Sequence, residues 1–218
     1  MPQPSAWPSL KRPLVAILRG INLKESLPMV ETLLNEGFEA IEVPLNSPSP
    51  FTTIEMIVRE FGEQALLGAG TVLDPQDCHR LADIGAKLVV TPNANPEVIS
   101  TAVQLGLVTM PGVFTPTEAI QASKAGASAL KFFPASVLSV SGINAIRAVL
   151  PSDMPVGAVG GISEHSFEHY IDNGITIFGM SSTLYRPGDG VKDIAPRAQT
   201  IIRAYDEALN KRQATKSE

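Results

Sequence analysis

Lys131 lies in the run Ser128-Ala129-Leu130-Lys131-Phe132-Phe133-Pro134, among apolar neighbours. A lysine is almost never fully buried unless it is paired. Desolvation lowers its pKa from about 10.4 toward the range in which a neutral amine attacks a carbonyl. Taken alone, the segment also fits an edge strand whose lysine snorkels to water, so the other polar strand residues must decide. Arg19 ends Ala16-Ile17-Leu18-Arg19, Glu42 sits inside Ala40-Ile41-Glu42-Val43-Pro44, and Thr71 closes Gly68-Ala69-Gly70-Thr71. Side chains alternate across a strand, which puts Lys131 on one face with Ala129 and Phe133, and Glu42 with Ala40 and Pro44. A buried Lys–Glu pair can simply fix strand register, although desolvation of both ions makes it a weak stabiliser. At a catalytic mouth the same pair is a nucleophilic amine with a carboxyl group that shuttles protons. Arg19 by itself reads as a loop ion pair. Beside Lys131, Glu42 and Thr71 it becomes a fork for a substrate carboxylate.

These residues need elements that converge. Segments rich in strand-forming residues recur at 14–19, 40–45, 66–71, 87–91, 107–111, 129–133, 156–160 and 176–180. Helical patterns separate them. Asp74-Pro75, Asn95-Pro96 and Thr115-Pro116 each place a capping side chain before a first-turn proline, and Glu118 completes a capping box with Thr115. Gly37, Gly85, Gly106, Gly126 and Gly174 stand where a helix ends in a left-handed residue. Eight strands alternating with helices predict an α/β protein with one parallel sheet, closed as a (β/α)8 TIM barrel in a single domain over 12–209. An open doubly wound sheet is the alternative, disfavoured by the absence of a Gly-x-Gly-x-x-Gly turn after the first strand. Residues 1–11 read as an N-terminal arm and 210–218 as a frayed C-terminal tail.

On a barrel, chemistry sits at the C-terminal ends of the strands, where Arg19, Glu42, Thr71 and Lys131 all fall. The last two strands finish in Val159-Gly160-Gly161-Ile162-Ser163 and Met180-Ser181-Ser182, and the corresponding loops of barrels commonly bind phosphate through bare amides and hydroxyls. A glycine pair elsewhere would mark only a turn.

The rest of the chain excludes more than it offers. A net charge of −5 with no basic cluster argues against nucleic acid and anionic membrane surfaces. The proline-punctuated N-terminus is neither a signal peptide nor a span. One cysteine, Cys78, permits no intrachain disulfide and fits a reducing cytoplasm. His79, His165 and His169 read as helix residues; the last two are four apart but lack a third metal ligand. Met29, Met56 and Met110 read as packing, and Trp7 as an anchor for the arm.

Ile17-Leu18-Arg19-Gly20, the run from Ile41 through Pro48, Gly68-Ala69-Gly70-Thr71-Val72, Val90-Thr91-Pro92, Ala129-Leu130-Lys131-Phe132-Phe133-Pro134 and Val159-Gly160-Gly161 together resemble the motifs of the class I 2-keto-3-deoxy-6-phosphosugar aldolases, in that family's order. The resemblance implies retro-aldol cleavage of a phosphorylated keto-acid sugar to pyruvate and D-glyceraldehyde 3-phosphate, on a homotrimeric barrel, without metal or other cofactor. By position, Lys131 would form the Schiff base and Glu42 would act as general acid and base. Arg19 and Thr71 would hold the carboxylate, Pro92 and Phe133 would line the imine, and Gly160, Gly161 and Ser182 would hold phosphate. Val159 resembles the galactonate-type branch, which carries valine where the gluconate-type carries threonine; Leu184-Tyr185-Arg186-Pro187-Gly188 resembles it too. The gluconate-type epimer stands as the alternative substrate. Two residues depart from the family pattern: Ser181 replaces a glycine beside Ser182, adding bulk near the phosphate, and Phe178 replaces a small residue. A phosphosugar isomerase would need no buried lysine, and a non-catalytic phosphometabolite-binding barrel should have lost Lys131 or Glu42.

Overall fold

The computed structural model describes residues 5–215. Strands and helices alternate: β1 Leu14–Ile17, α1 Leu23–Glu36, β2 Ala40–Pro44, α2 Pro50–Phe61, β3 Leu66–Gly70, α3 Pro75–Asp83, β4 Leu88–Val90, α4 Pro96–Gln104, β5 Val108–Met110, β6 Gly112–Val113, α5 Pro116–Lys124, β7 Leu130–Phe132, α6 Ala135–Arg147, β8 Val156–Val159, α7 Phe167–Asp172, β9 Ile177–Met180 and α8 Val191–Thr215. All strand pairs are parallel, in the order β5-β4-β3-β2-β1-β9-β8-β7-β6.

Nine strands therefore stand where eight are expected, because the fifth segment divides at Pro111. Proline has no N–H for the ladder, so pairing with β4 stops at Met110 and pairing with β7 begins at Gly112. Pro111 still accepts from Lys131 N at 2.9 Å, which joins the two edges into a nearly closed barrel. The expected caps form: Asp74 and Asn95 accept from the backbone N–H of Gln76 and Glu97, the second residues of α3 and α4, and Thr115 and Glu118 make a reciprocal box at α5. Each of the five helix-ending glycines has positive φ.

Outward-facing residues of the strands, such as Leu14, Ile41, Leu130 and Phe132, join one apolar layer with the helices. Val15, Ala40, Leu88, Val90, Met110, Ala129 and Ile177 face inward and fill the lumen, with Trp7 and Leu10 packed against them. Most of these lumen residues sit at or near strand starts, so the described part of the arm closes the barrel floor, and Ser5 Oγ donates to Gly106 O at 3.0 Å. The arm at 5–11 is thus docked through Ser5, Trp7 and Leu10, with Trp7 as its anchor; residues 1–4 lie outside the described residues. At the other end α8 runs on to Thr215, past residue 209 where the helical pattern gives way to polar sequence; 216–218 lie outside the described residues. Among the described residues, no helix is long and apolar enough to cross a membrane.

Candidate active site

The lumen above the apolar floor contains two ionisable side chains that are almost wholly buried. Glu42 is 3% exposed and Lys131 6%. Alternation fixes their direction: Ile41 and Val43 in β2, and Leu130 and Phe132 in β7, belong to the outer layer, leaving Glu42 and Lys131 to point inward. The strand positions paired with Lys131 are both glycines, Gly112 on β6 and Gly157 on β8. The amine therefore has no side chain directly beside its stem on either neighbouring strand.

Glu42 is accommodated in the same way from β3. A Cβ on Gly70 would lie 1.2 Å from Glu42 Oε2, so the carboxylate occupies the space that a side chain at that position would take. Oε2 is buried without a hydrogen-bond partner. A carboxylate in that state is held protonated more easily than in water, because burial penalises its charged form. Desolvation pushes the Glu42 pKa up to about 7, against opposing pulls from Lys131 and Arg19. Desolvation lowers the Lys131 pKa to about 8; Glu42 opposes that shift and the positive charge of Arg19 adds to it. The two groups make no direct ion pair among the described residues, and both titrate in the neutral range where proton transfer is easiest in either direction. The face of Phe133 lies 5.1 Å from Lys131 Nζ, giving the amine an aromatic wall.

Arg19, exposed at the mouth after β1, donates from Nη1 to Asn46 Oδ1 at 2.7 Å, and both its Nη atoms lie 3.5 Å from Thr71 Oγ1. Thr71 adopts φ 55, a conformation a β-branched residue rarely takes. Such strain persists only where surrounding structure holds it, and it concentrates at functional sites. Ser47 Oγ accepts from Gly20 N at 2.9 Å and so ties the loops after β1 and β2 together. Asn46, Ser47 and Gly70 were not among the candidates read from the sequence. Asn46 and Ser47 lie in the run from Ile41 through Pro48, but nothing in the types of these residues announced that they position Arg19 and its loop.

Next around the rim, at the ends of β8 and β9, the latter paired with β1, Gly160, Gly161, Ser163, Ser181, Ser182 and Thr183 line a cavity of about 170 Å³. Gly161 has φ +76, and a Cβ there would be 2.5 Å from Ser136 Cβ, so only glycine lets this loop meet the start of α6. Ser136 N in turn donates to Gly160 O at 3.0 Å. Val159 is 5% exposed, with its Cγ2 against the bare Gly179. Pro92 follows β4 at the same mouth, half-buried.

The other candidates separate cleanly. Phe178 faces away from the cavity, packed in an aromatic cluster with Phe167, Tyr170 and Tyr205 under α7 and α8. Ser181 does line the cavity. Burial, with Asp77 and Asp74, raises the Cys78 thiol to about 11, the opposite of an activated thiolate. His165 stands in the turn before α7 rather than within a helix.

The family model for KDPG and KHG aldolase matches residues 9–192. The chain belongs to the KDPG and KHG aldolase family. Within this aldolase family, it is 54% identical over 199 residues to a probable 2-dehydro-3-deoxy-6-phosphogalactonate aldolase of Rhizobium meliloti (strain 1021), covering 91% of this chain and 94% of that protein. It is 47% identical to the 2-dehydro-3-deoxy-6-phosphogalactonate aldolase of Escherichia coli (strain K12), covering 91% and 97%. A solved structure described as native KDPGal superposes with a TM-score of 0.91 at 46% identity, over 94% of this chain and 99% of that one. This aldolase fold is the (β/α)8 barrel expected from the sequence, with its fifth strand divided.

Proposed function

We propose that the protein cleaves 2-dehydro-3-deoxy-6-phosphogalactonate to pyruvate and D-glyceraldehyde 3-phosphate through a Schiff base on Lys131. The observation that carries this reading is the pair of buried, lumen-facing groups, an amine lowered to about 8 beside a carboxyl raised to about 7.

Neutral Lys131 Nζ attacks the C2 ketone to give a carbinolamine. Protonated Glu42 donates to its hydroxyl, water leaves, and the protonated imine at C2 becomes an electron sink. Glu42, now a carboxylate, takes the C4 hydroxyl proton; the C3–C4 bond pair moves into the imine as an enamine and the aldehyde departs. Glu42 returns its proton to C3, and water hydrolyses the pyruvyl imine. Arg19, fixed by Asn46 and facing Thr71, receives the substrate carboxylate, and the Gly160–Gly161 and Ser181–Ser182 ends receive phosphate. Pro92 and Phe133 keep water from the imine. Val159 offers methyl groups at the lumen edge where a threonine would offer a hydroxyl, which supports the galactonate epimer over the gluconate one. Exposed Leu73, Phe114 and Val137 supply apolar surface for the expected homotrimer. The compartment proposed is the cytoplasm, in keeping with a single free thiol.

Incubation with pyruvate and borohydride, followed by peptide mass mapping, tests the chemistry. The expected product is one reduced adduct on Lys131; an adduct elsewhere, or none, overturns it. Comparing kcat/KM for the two C4 epimers tests the branch, with the galactonate epimer expected to be preferred.

A further inference from the structure

A phosphate dianion at the ends of β8 and β9 would meet amides and hydroxyls but no cation among the residues lining that cavity. Hydroxyls and amides satisfy phosphate oxygens, yet a charged guanidinium binds them roughly twice as strongly and in a fixed bidentate geometry. Arg186, on the turn that leaves β9, is the nearest residue in sequence able to supply that charge. Its Nε donates to Ser182 O at 3.1 Å, so the guanidinium is tethered to a residue of the cavity wall. Its Nη1 and Nη2 have no acceptor among the described residues, which leaves both terminal nitrogens of the fork, with four N–H donors, uncommitted.

The surrounding turn is built to keep it there. Arg186 N donates to Asp189 Oδ2 at 2.8 Å, and Asp189 N donates to Arg186 O at 3.0 Å. Asp189 is the carboxylate best placed to neutralise Arg186, but its Oδ2 is paired closely with Arg197. Arg197 also reaches Leu184 O at 3.3 Å, tying the turn to α8. On the opposite side Pro187 packs against the loop after β1: a Cβ on Gly20 would lie 2.8 Å from Pro187 Cγ. The turn is therefore fastened both to α8 and to the neighbour of Arg19, on the rim where β9 pairs with β1.

We infer that Arg186 is the residue that binds the substrate's 6-phosphate as a charged clamp over the cavity formed by Gly160, Gly161, Ser181 and Ser182. The inference rests on the proposed aldolase reading for the identity of the substrate, but phosphate binding itself is measurable without it. Calorimetric titration with inorganic phosphate is expected to show binding to the native protein that weakens at least about tenfold in Arg186→Met and is partly restored in Arg186→Lys. With the phosphorylated substrate, Arg186→Met is expected to lose roughly 30- to 100-fold in kcat/KM, mainly through KM, and to lose far less with the 6-hydroxy analogue. Phosphate affinity within about twofold of native in Arg186→Met, or equal losses on both substrates, shows Arg186 to be a solvated surface residue and overturns the inference. Pyruvate trapping on Lys131 runs in parallel: its failure in the native protein sinks the aldolase reading, while the phosphate titration still decides the role of Arg186.

Discussion

Ionising Glu42 inside the barrel works against folding, because its pKa rises from 4.5 in the unfolded chain to about 7 in the fold. Below about pH 4.5 the group is protonated in both states and costs nothing; the penalty grows between there and pH 7 and is complete above it. Glu42→Gln should therefore raise stability by roughly 1–3 kcal/mol at pH 8 and by little at pH 5, measured by urea denaturation at both pH values. The same substitution should abolish cleavage, a trade of activity for stability expected of a strained site. Lys131 behaves with the opposite sign. Its charged form is penalised below about pH 8, so native stability should recover as pH climbs from there toward 10.5. In kcat/KM the pair should titrate as a unit, with apparent pKa values between about 7 and 8 rather than one value per residue. At Val159, replacement by threonine should add a hydrogen bond worth about 0.5–1.5 kcal/mol to the gluconate epimer, moving the ratio of kcat/KM values by roughly two- to tenfold. An unchanged ratio would mean that Val159 does not set the preference between the epimers.

Glycine at a strand end is what lets β3 serve β2. Gly70→Ala would drive a methyl group into the Glu42 carboxylate, whose Oε2 lies 1.2 Å from the Cβ position. The variant should fold with a loss of about 1–3 kcal/mol and lose cleavage by at least about a hundredfold, since a displacement of 1 Å at a reacting group costs that much. Its signature is a shifted pH profile, because the carboxyl can no longer occupy the same dry position. Thr71, one residue on, is held at φ 55. Thr71→Gly should relieve about 1 kcal/mol of backbone strain and raise the thermal midpoint. It should also raise KM, because Thr71 Oγ1 faces both Nη atoms of Arg19. A fall in the midpoint would mean that the loop after β3 is set by its side-chain contacts rather than by strain.

The whole barrel is closed by apolar packing at one end and carries its polar strand-end residues at the other. Trp7 and Leu10 seal the floor against Val15, Ala40 and Ile177, while Arg19, Glu42, Thr71 and Lys131 stand toward the mouth. Trp7→Ala should remove roughly 2–3 kcal/mol by opening the floor, less than a fully buried tryptophan because Trp7 is only partly covered. Pyruvate trapping on Lys131 should persist at temperatures below the lowered midpoint, since the mouth is formed by other residues. A loss of trapping in a folded Trp7→Ala protein would instead mean that the floor supports the position of the lysine.

Much of this was legible in one dimension. Strand alternation, capping side chains and left-handed glycines are local properties, encoded by residues a few positions apart, and they placed Lys131 and Glu42 on inward faces and Arg19 and Thr71 at strand ends. The fold class followed from the repetition of those signals. Depth, distance and company are not local. Only the closed barrel decides that Gly70 vacates the space filled by Glu42, that Asn46 and Thr71 hold Arg19, and that Phe178 packs outside under the helices. It also decides that Pro111 divides the fifth strand and that the arm plugs the floor. Desolvation and Coulomb forces act through space between strands that are far apart in the chain, so the neutral-range titration of Lys131 and Glu42 exists only once the barrel has formed.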